Sequence, residues 1–399
     1  MAQQVRPLRE LVWFQEGPGV RNHQYRDSGV KLLNVANLTD GRIDLSKTSR
    51  YISQEEAYGR YKRFLADAGD LVVAASGIRV DSFDEKMGFI TQTQLPLCMN
   101  TGTIRFKVRD TSRLDIRYFM YFLKSDPFKA QLARQITGSA QLNFGPSHLE
   151  RMDMPVCSLE RQREAVRNLD KVCALEGKLA AERALLVTLA KARFTELFGD
   201  MPENPKGYPV VFLEDVCTKI ADCPHSTPKD YVDSRSYPAI RTTELKNGTI
   251  DWSDMKYVSP EEYAARTAKV TPEAADIVYA REGTYGEAAL LPEGYKFCLG
   301  QRVVLLRADR AKCTPEFLWF SLRSDYVYHQ AREKNVGATV GRVNLADIKR
   351  FRILLPDLEK QSEFTAFLEK IRKLTTANER SRQQTTLMKK ALMREYFEA

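Results

Sequence analysis

The chain has few of the features that mark secreted, membrane-embedded or metal-holding proteins. Its seven cysteines, Cys98, Cys157, Cys173, Cys217, Cys223, Cys298 and Cys313, include no CxxC pair. An odd number cannot pair off completely, and the spacing fits no zinc motif, so reduced, mostly buried thiols of a cytosolic protein are expected. No run of about eighteen apolar residues exists, which argues against a membrane span. The opening stretch MAQQVRPLRELVWF has no apolar signal core, which argues against secretion. Histidine is scarce: His23, His148, His225 and His329 are scattered and read as surface or loop residues. There is no GxxxxGK[ST] phosphate loop. The only Gly-Lys pair, Gly177-Lys178, is followed by leucine within a helical pattern. No glycine-rich loop suits a nucleotide or S-adenosylmethionine, and the carboxylates do not cluster as in a nuclease. The expectation is a chain with no catalytic residues, no metal and no cofactor of its own.

What is present is enough apolar material for real cores. The 399 residues are 43% hydrophobic and carry a formal charge of +9. At roughly 100–200 residues per domain, two or three domains are expected. The first 200 residues hold 30 basic and 24 acidic side chains, and the remainder 31 and 28. Both halves are therefore mildly basic, which suits a polyanionic partner.

The dominant feature is a repeat. NVANLTDGRID, from Asn34, returns as RTTELKNGTID, from Arg241, with Leu38, Gly41, Ile43 and Asp44 answered by Leu245, Gly248, Ile250 and Asp251. RYISQEEA from Arg50 is answered by KYVSPEEYA from Lys256, and AGDLVVAASG by AADIVYAREG, with Asp70 and Gly77 matching Asp276 and Gly283. Cys98 matches Cys298, and YFLKSD from Tyr121 matches FSLRSD from Phe320. Over the last stretch, Gly138, Arg151, Leu159, Gln162, Glu196 and Phe198 recur as Gly337, Arg350, Leu358, Gln361, Glu395 and Phe397. So many ordered identities mean a tandem duplication, with a period far too long for a solenoid.

Each copy has one internal order. Short β-branched or aromatic runs (DLVVAAS, TIRFKV, DIVYA, QRVVLLRA) read as strands, separated by the turn signals Asp40-Gly41 and Asn247-Gly248. Short helices follow at DIRYFMYFLKS and TPEFLWFSLRS. Each copy closes with a segment whose apolar residues sit at helical, partly heptad spacing, about Ser158–Phe198 and Leu358–Phe397. A stripe that long must be buried, and its duplicate is the obvious partner, packed antiparallel. The polar stretch TTANERSRQQTT, Thr375 to Thr386, predicts imperfect pairing there or contact with another protein. The fold class expected is α+β, with two tandem pseudo-symmetric mixed α/β domains, each followed by a long helix, the helices forming an antiparallel coiled-coil spacer. The divisions are 1–157, first domain; 158–200, first long helix; 201–210, a Pro/Gly-rich linker; 211–356, second domain; 357–399, second long helix.

Repeated residues are glycines, turn formers and apolar strand positions, with Gln162 and Gln361 where the long helices start. The polar loop tips differ instead: EGPGVRNHQYRDSG faces ADCPHSTPKDYVDS, ASGIRVDSFDEKMGF faces REGTYGEAALLPEGY, and TGSAQLNFGPSH faces VGATVGRVNLAD. Two similar frames with different loop chemistry suit the reading of two different things.

CPHSTPK near Cys223, IRTTELKNGTID, ADIVYAREGTYGEAALL, CLGQRVVLLR and GATVGRVNLADIKRFRILLPDLEKQ, with the long helix after them, give the chain a further meaning. In combination it resembles the specificity subunit of type I restriction-modification systems, over nearly its whole length and most clearly in the second copy. Cys223 stands where that pattern has glycine, and Ala75 stands opposite Arg281. The resemblance implies a cytoplasmic, non-catalytic DNA reader for phage defence. Each globular part would be a target recognition domain on one half of a bipartite, asymmetric double-stranded site. The helices would be the ruler between them. Two methyltransferase (modification) subunits and ATP-dependent restriction subunits would be held by this chain and would carry the chemistry. Base choice requires polar and basic side chains on loops. The candidates are Arg281, Thr284 and Tyr285, Lys229, Gln301 and Arg302, and Arg342 and Asn344 in the second copy. In the first they are Arg21, Asn22, Ser76, Arg79, Gln141 and Asn143. Arg241, Thr242 and Thr243, in an expected strand, are lesser candidates. The alternatives are a stand-alone methyltransferase or nuclease with an unseen site, and a coiled-coil adaptor without a nucleic-acid role.

Overall fold

The computed structural model describes residues 4–46, 48–77, 79–135, 143–200, 203–228, 231–232, 235–334 and 341–398. The chain divides into two compact units: Met1–Ala180 with Arg380–Ala399, and Ala181–Glu379. Both division points fall inside the long helices.

Unit 1 is built on a four-stranded antiparallel sheet in the order Val12–Glu16, Thr103–Val108, Leu71–Ala74, Met87–Phe89. A three-stranded sheet orders Tyr51–Ile52, Val30–Leu33 and Leu97–Met99, the last pair parallel. Gln4–Pro7 pairs with Asp153–Val156, and Leu38–Thr39 with Arg42–Ile43. Unit 2 has the same plan. Cys217–Asp222, Val303–Ala308, Ile277–Ala280 and Ala288–Leu290 form its four-stranded sheet. Lys256–Tyr257, Pro238–Ile240 and Cys298–Leu299 form the three-stranded one, again with one parallel pair. Val210–Phe212 pairs with Arg352–Leu354, and Leu245–Lys246 with Thr249–Ile250. The duplication is therefore one of whole topology.

The local causes are also shared. Asp40-Gly41 and Asn247-Gly248 have φ of +51°, +71°, +52° and +81°, as a two-residue hairpin turn of the strand-matching hand requires. The helix Ile116–Lys124 starts at Asp115, whose carboxylate accepts from the Arg117 and Tyr118 N–H groups. The helix Pro315–Leu322 starts at Thr314, whose hydroxyl accepts from the Phe317 N–H, with proline at its first position.

The long helices run Leu159–Phe198 and Leu358–Phe397. At 40 residues each, they are about 60 Å long. Each begins at a buried glutamine. Gln162 Nε2 donates to the carbonyls of Arg113 and Cys157 (2.9 Å each), and its Oε1 accepts from Asp115 N–H at 2.8 Å. Gln361 repeats this with Lys312, Pro356 and Thr314 at 3.0, 2.7 and 2.8 Å. One side chain thus satisfies three backbone groups where strand, loop and helix meet, which explains its place among the repeated residues.

Within each unit the helices pair antiparallel. In unit 1, Arg161 bonds Glu395, Lys389 bonds Glu176 at 2.7 Å, and Asn168 Nδ2 donates to Tyr396 Oη at 2.9 Å. Phe397 inserts beside Tyr118 and Phe122, with ring centroids 4.8 and 6.1 Å away. In unit 2, Arg193 bonds Glu363, and Phe198 packs on Phe317 and Phe364 at 4.8 and 5.7 Å. The end of each long helix therefore completes the core of the unit built on the other repeat. The polar stretch of the second helix is better satisfied than its composition suggests. Asn378 is buried and donates to Glu182 at 2.9 Å, and Thr385 is buried and donates to the Ser381 carbonyl at 2.7 Å. No helix among the described residues is long and apolar enough to cross a membrane.

Candidate nucleic-acid interface

At one end of each four-stranded sheet, three loops are laced together by backbone bonds. In unit 2, Arg281 N–H donates to Arg302 O at 3.0 Å, and Val343 N–H donates to Arg281 O at 2.8 Å. Gly283 N–H donates to Gly341 O at 3.0 Å, and Glu282 and Arg342 form an isolated bridge. In unit 1, Ala75 N–H donates to Gly102 O at 2.7 Å, and Phe144 N–H donates to Ala75 O at 2.9 Å. Gly77 N–H there donates to Asn143 Oδ1 at 3.0 Å. The same junction thus stands at the same sheet end in both units.

Six of the eight second-copy candidates crowd this junction as loop side chains. Arg302 is exposed and pairs with Glu282 at 3.2 Å. Gln301 donates to Thr227 Oγ1 at 2.9 Å, tying in the Cys223–Pro228 loop. Thr284 is exposed. Tyr285 lies half-buried against Tyr328, rings 5.6 Å apart and 9° from parallel. Arg342 is exposed, and exposed Asn344 starts the helix Leu345–Lys349, its carbonyl accepting from Ile348 N–H at 3.0 Å. Arg281 is at the junction too, but its side chain points inward: it is 4% exposed and donates to Asp222 Oδ2 at 2.9 Å. Lys229 lies outside the described residues.

In unit 1, Ser76 and Asn143 are exposed and held together through Gly77. Arg79 is exposed and accepts at its carbonyl from Ser82 Oγ at 3.1 Å. Arg21 and Asn22 are exposed on a separate loop, anchored below by Gln24, which donates to Glu56 at 2.8 Å and accepts from Tyr61 Oη at 3.1 Å. That loop joins the junction through Thr101, whose hydroxyl donates to Pro18 O at 3.0 Å. Gln141 lies outside the described residues.

The lesser candidates behave differently. Thr242–Glu244 is a turn of 3-10 helix rather than a strand, because the Glu244 carboxylate folds back to accept from Arg241 N–H at 2.8 Å and also holds the Arg241 guanidinium. Thr242 is buried, and Thr243 donates to Glu244 at 2.8 Å. Thr242 is thus closed off by burial, while Arg241 and the exposed Thr243 are engaged by the Glu244 carboxylate. Two residues at the junction were missed by sequence reasoning, Asp222 and Tyr328. Asp222 meets Arg281 across 59 positions and Tyr328 reaches Tyr285 from a helix, so no local spacing announces either.

A duplicated α+β frame with equivalent loop faces and paired long helices defines a class: a two-repeat protein that presents two homologous loop faces. Comparison with known proteins narrows it. Residues 205–387 match the family model described as the type I restriction modification DNA specificity domain. The putative type I restriction enzyme MjaX specificity subunit of Methanocaldococcus jannaschii is 24% identical over 410 residues, 98% of this chain and 91% of that protein. The MjaVIII specificity subunit of the same organism is 24% identical over 178 residues, covering 44% of this chain and only 41% of that protein's length. Among solved structures, a type I restriction-modification S subunit from M. genitalium superposes with a TM-score of 0.59 at 13% identity, over 100% of this chain and 96% of that one. A chain from a study of complex assembly and conformational transition in a type I system gives 0.54 at 15% identity, over 99% and 97%. Residues 205–387 thus match the type I restriction modification DNA specificity domain, and over nearly its whole length the chain is similar to a type I specificity subunit.

Proposed function

We propose that this chain is the non-catalytic DNA-reading subunit of a type I restriction-modification complex and that each unit's loop face reads one half of a bipartite, asymmetric duplex site. One observation carries this: the same three-loop junction is built twice, while its exposed side chains differ. Arg302, Gln301 and Arg342 at one face stand against Gly102, Thr101 and Asn143 at the other. A shared frame keeps the loops in register, and different donors and acceptors select different bases. The basic excess supplies phosphate affinity that carries no sequence information. Residues 1–157 and 211–356 serve as target recognition domains. The helices 158–200 and 357–399 serve as spacer, and 201–210 links the two repeats. Two methyltransferase subunits and ATP-dependent restriction subunits supply the chemistry, in the cytoplasm. Flipping of the target base belongs to the methyltransferase.

The test is to express the chain with its neighbouring methyltransferase and map modified bases in the cell's DNA. A two-part asymmetric motif is expected, with one part changing when residues 211–356 are exchanged for those of a relative. Modification without a motif, or by the chain alone, would refute the assignment.

A further inference from the structure

Arg281 looks from the sequence like a base-reading arginine, and the structure gives it another task. Its guanidinium is buried, bonded to Asp222 and turned away from solvent. Asp222 ends the first strand of the unit 2 sheet and begins the Cys223–Pro228 loop. That loop is held at three further points. His225 Nε2 lies 3.4 Å from Asp222 Oδ2, Arg266 Nη2 donates to Ser226 O at 2.7 Å, and Gln301 reaches Thr227. Through its own backbone, Arg281 bonds to Arg302 and Val343. One residue therefore ties its own loop to the three others, those of Asp222, Arg302 and Val343.

The fold does not need this charge. Unit 1 makes the same backbone bonds around Ala75. Strand register places Glu16 where unit 2 has Asp222, opposite Ile104 and Val304 respectively. After Glu16 comes Gly17 instead, so close to Asn100 that a Cβ would sit 2.2 Å from its carbonyl oxygen. Among the described residues, this pair also keeps two buried polar atoms without a hydrogen-bond partner, Arg281 Nε and Asp222 Oδ1. Such atoms are rare in folded proteins and call for a reason.

Resting on the proposed DNA-reading role, we infer that Arg281 is a positioning residue. Through Asp222 it fixes the His225–Thr227 loop against the Gln301–Arg302 turn, and so sets which bases unit 2 accepts. It touches no base itself.

The experiment measures binding of the full-length chain with its methyltransferase to duplexes carrying every single-base change in the site. It compares wild type, Arg281→Ala, Asp222→Ala and the double variant. Each single change should lower discrimination on the order of tenfold at several positions of one half-site together, leaving the other half-site as in wild type. The double variant should be no worse than either single, since both act through one contact. A loss confined to one base pair in Arg281→Ala, with Asp222→Ala unaffected, would make Arg281 a direct reader and overturn the inference. Additive losses, or unchanged discrimination, would overturn it equally. Should the alanine variants fail to fold, Arg281→Lys and Asp222→Asn should show the same half-site loss. If wild type itself shows no base preference, the DNA-reading role fails, a result distinct from any of these.

Discussion

Arg302 holds a backbone φ of +65°, a left-handed conformation that side chains other than glycine rarely adopt. The equivalent turn in unit 1 uses Gly102, at +79°. An arginine retained there at a cost of about 1 kcal/mol points to a function for its side chain. Arg302→Gly should raise stability by about 1 kcal/mol in denaturant unfolding while weakening duplex binding and flattening its salt dependence. Loss of stability, or unchanged affinity, would remove Arg302 from the reading face. The equivalent free thiols Cys98 and Cys298 bear on stability at high pH. Burial pushes both thiols up to about 12. In the unfolded chain they ionise near the ordinary value of about 9. Their contribution to stability is therefore full below about pH 9 and lost as pH rises from there toward 12. Alkaline unfolding should begin in that window and be delayed in a Cys98→Ala/Cys298→Ala variant relative to its own neutral-pH stability.

At the scale of elements, the ends of the long helices matter most. Phe397 lies at the far end of the sequence from Tyr118 and Phe122, yet completes their core, and Phe198 does the same for Phe317 and Phe364. Phe397→Ala should cost about 3–5 kcal/mol and should loosen unit 1 first. Hydrogen exchange would show this as faster exchange at Ile116–Lys124 than at Pro315–Leu322. Gln162→Ala and Gln361→Ala should each cost about 3 kcal/mol, in similar measure, because each strands the same three backbone groups. Unequal effects would mean the two helix starts are not energetically equivalent.

For the whole molecule, binding should weaken linearly in log–log terms as salt rises, since phosphate contacts release counterions. Removing about seven residues, one heptad, from the middle of both long helices keeps the stripe in phase and shortens the pair by about 10 Å. The spacer between the two parts of the modified motif should shorten by about 3 base pairs in methylation mapping. An unchanged spacer would count against the helices as ruler.

The duplication, most of the strands and helices, the hairpin turns and the length of the long helices are legible in the residues alone. The duplication shows in ordered recurrence, and the rest is written in neighbouring residues: Asn247-Gly248 needs only its own φ preference, and an apolar stripe needs only helical periodicity. Folding in three dimensions set which loops share a face, that Arg281 turns inward to Asp222 while Arg302 stays out, and that Tyr328 stacks on Tyr285. It also decided that Phe198 and Phe397 exchange cores. Those outcomes depend on partners dozens to hundreds of positions away. Burial and hydrogen bonding select such partners only once the chain has folded, and no local pattern encodes them.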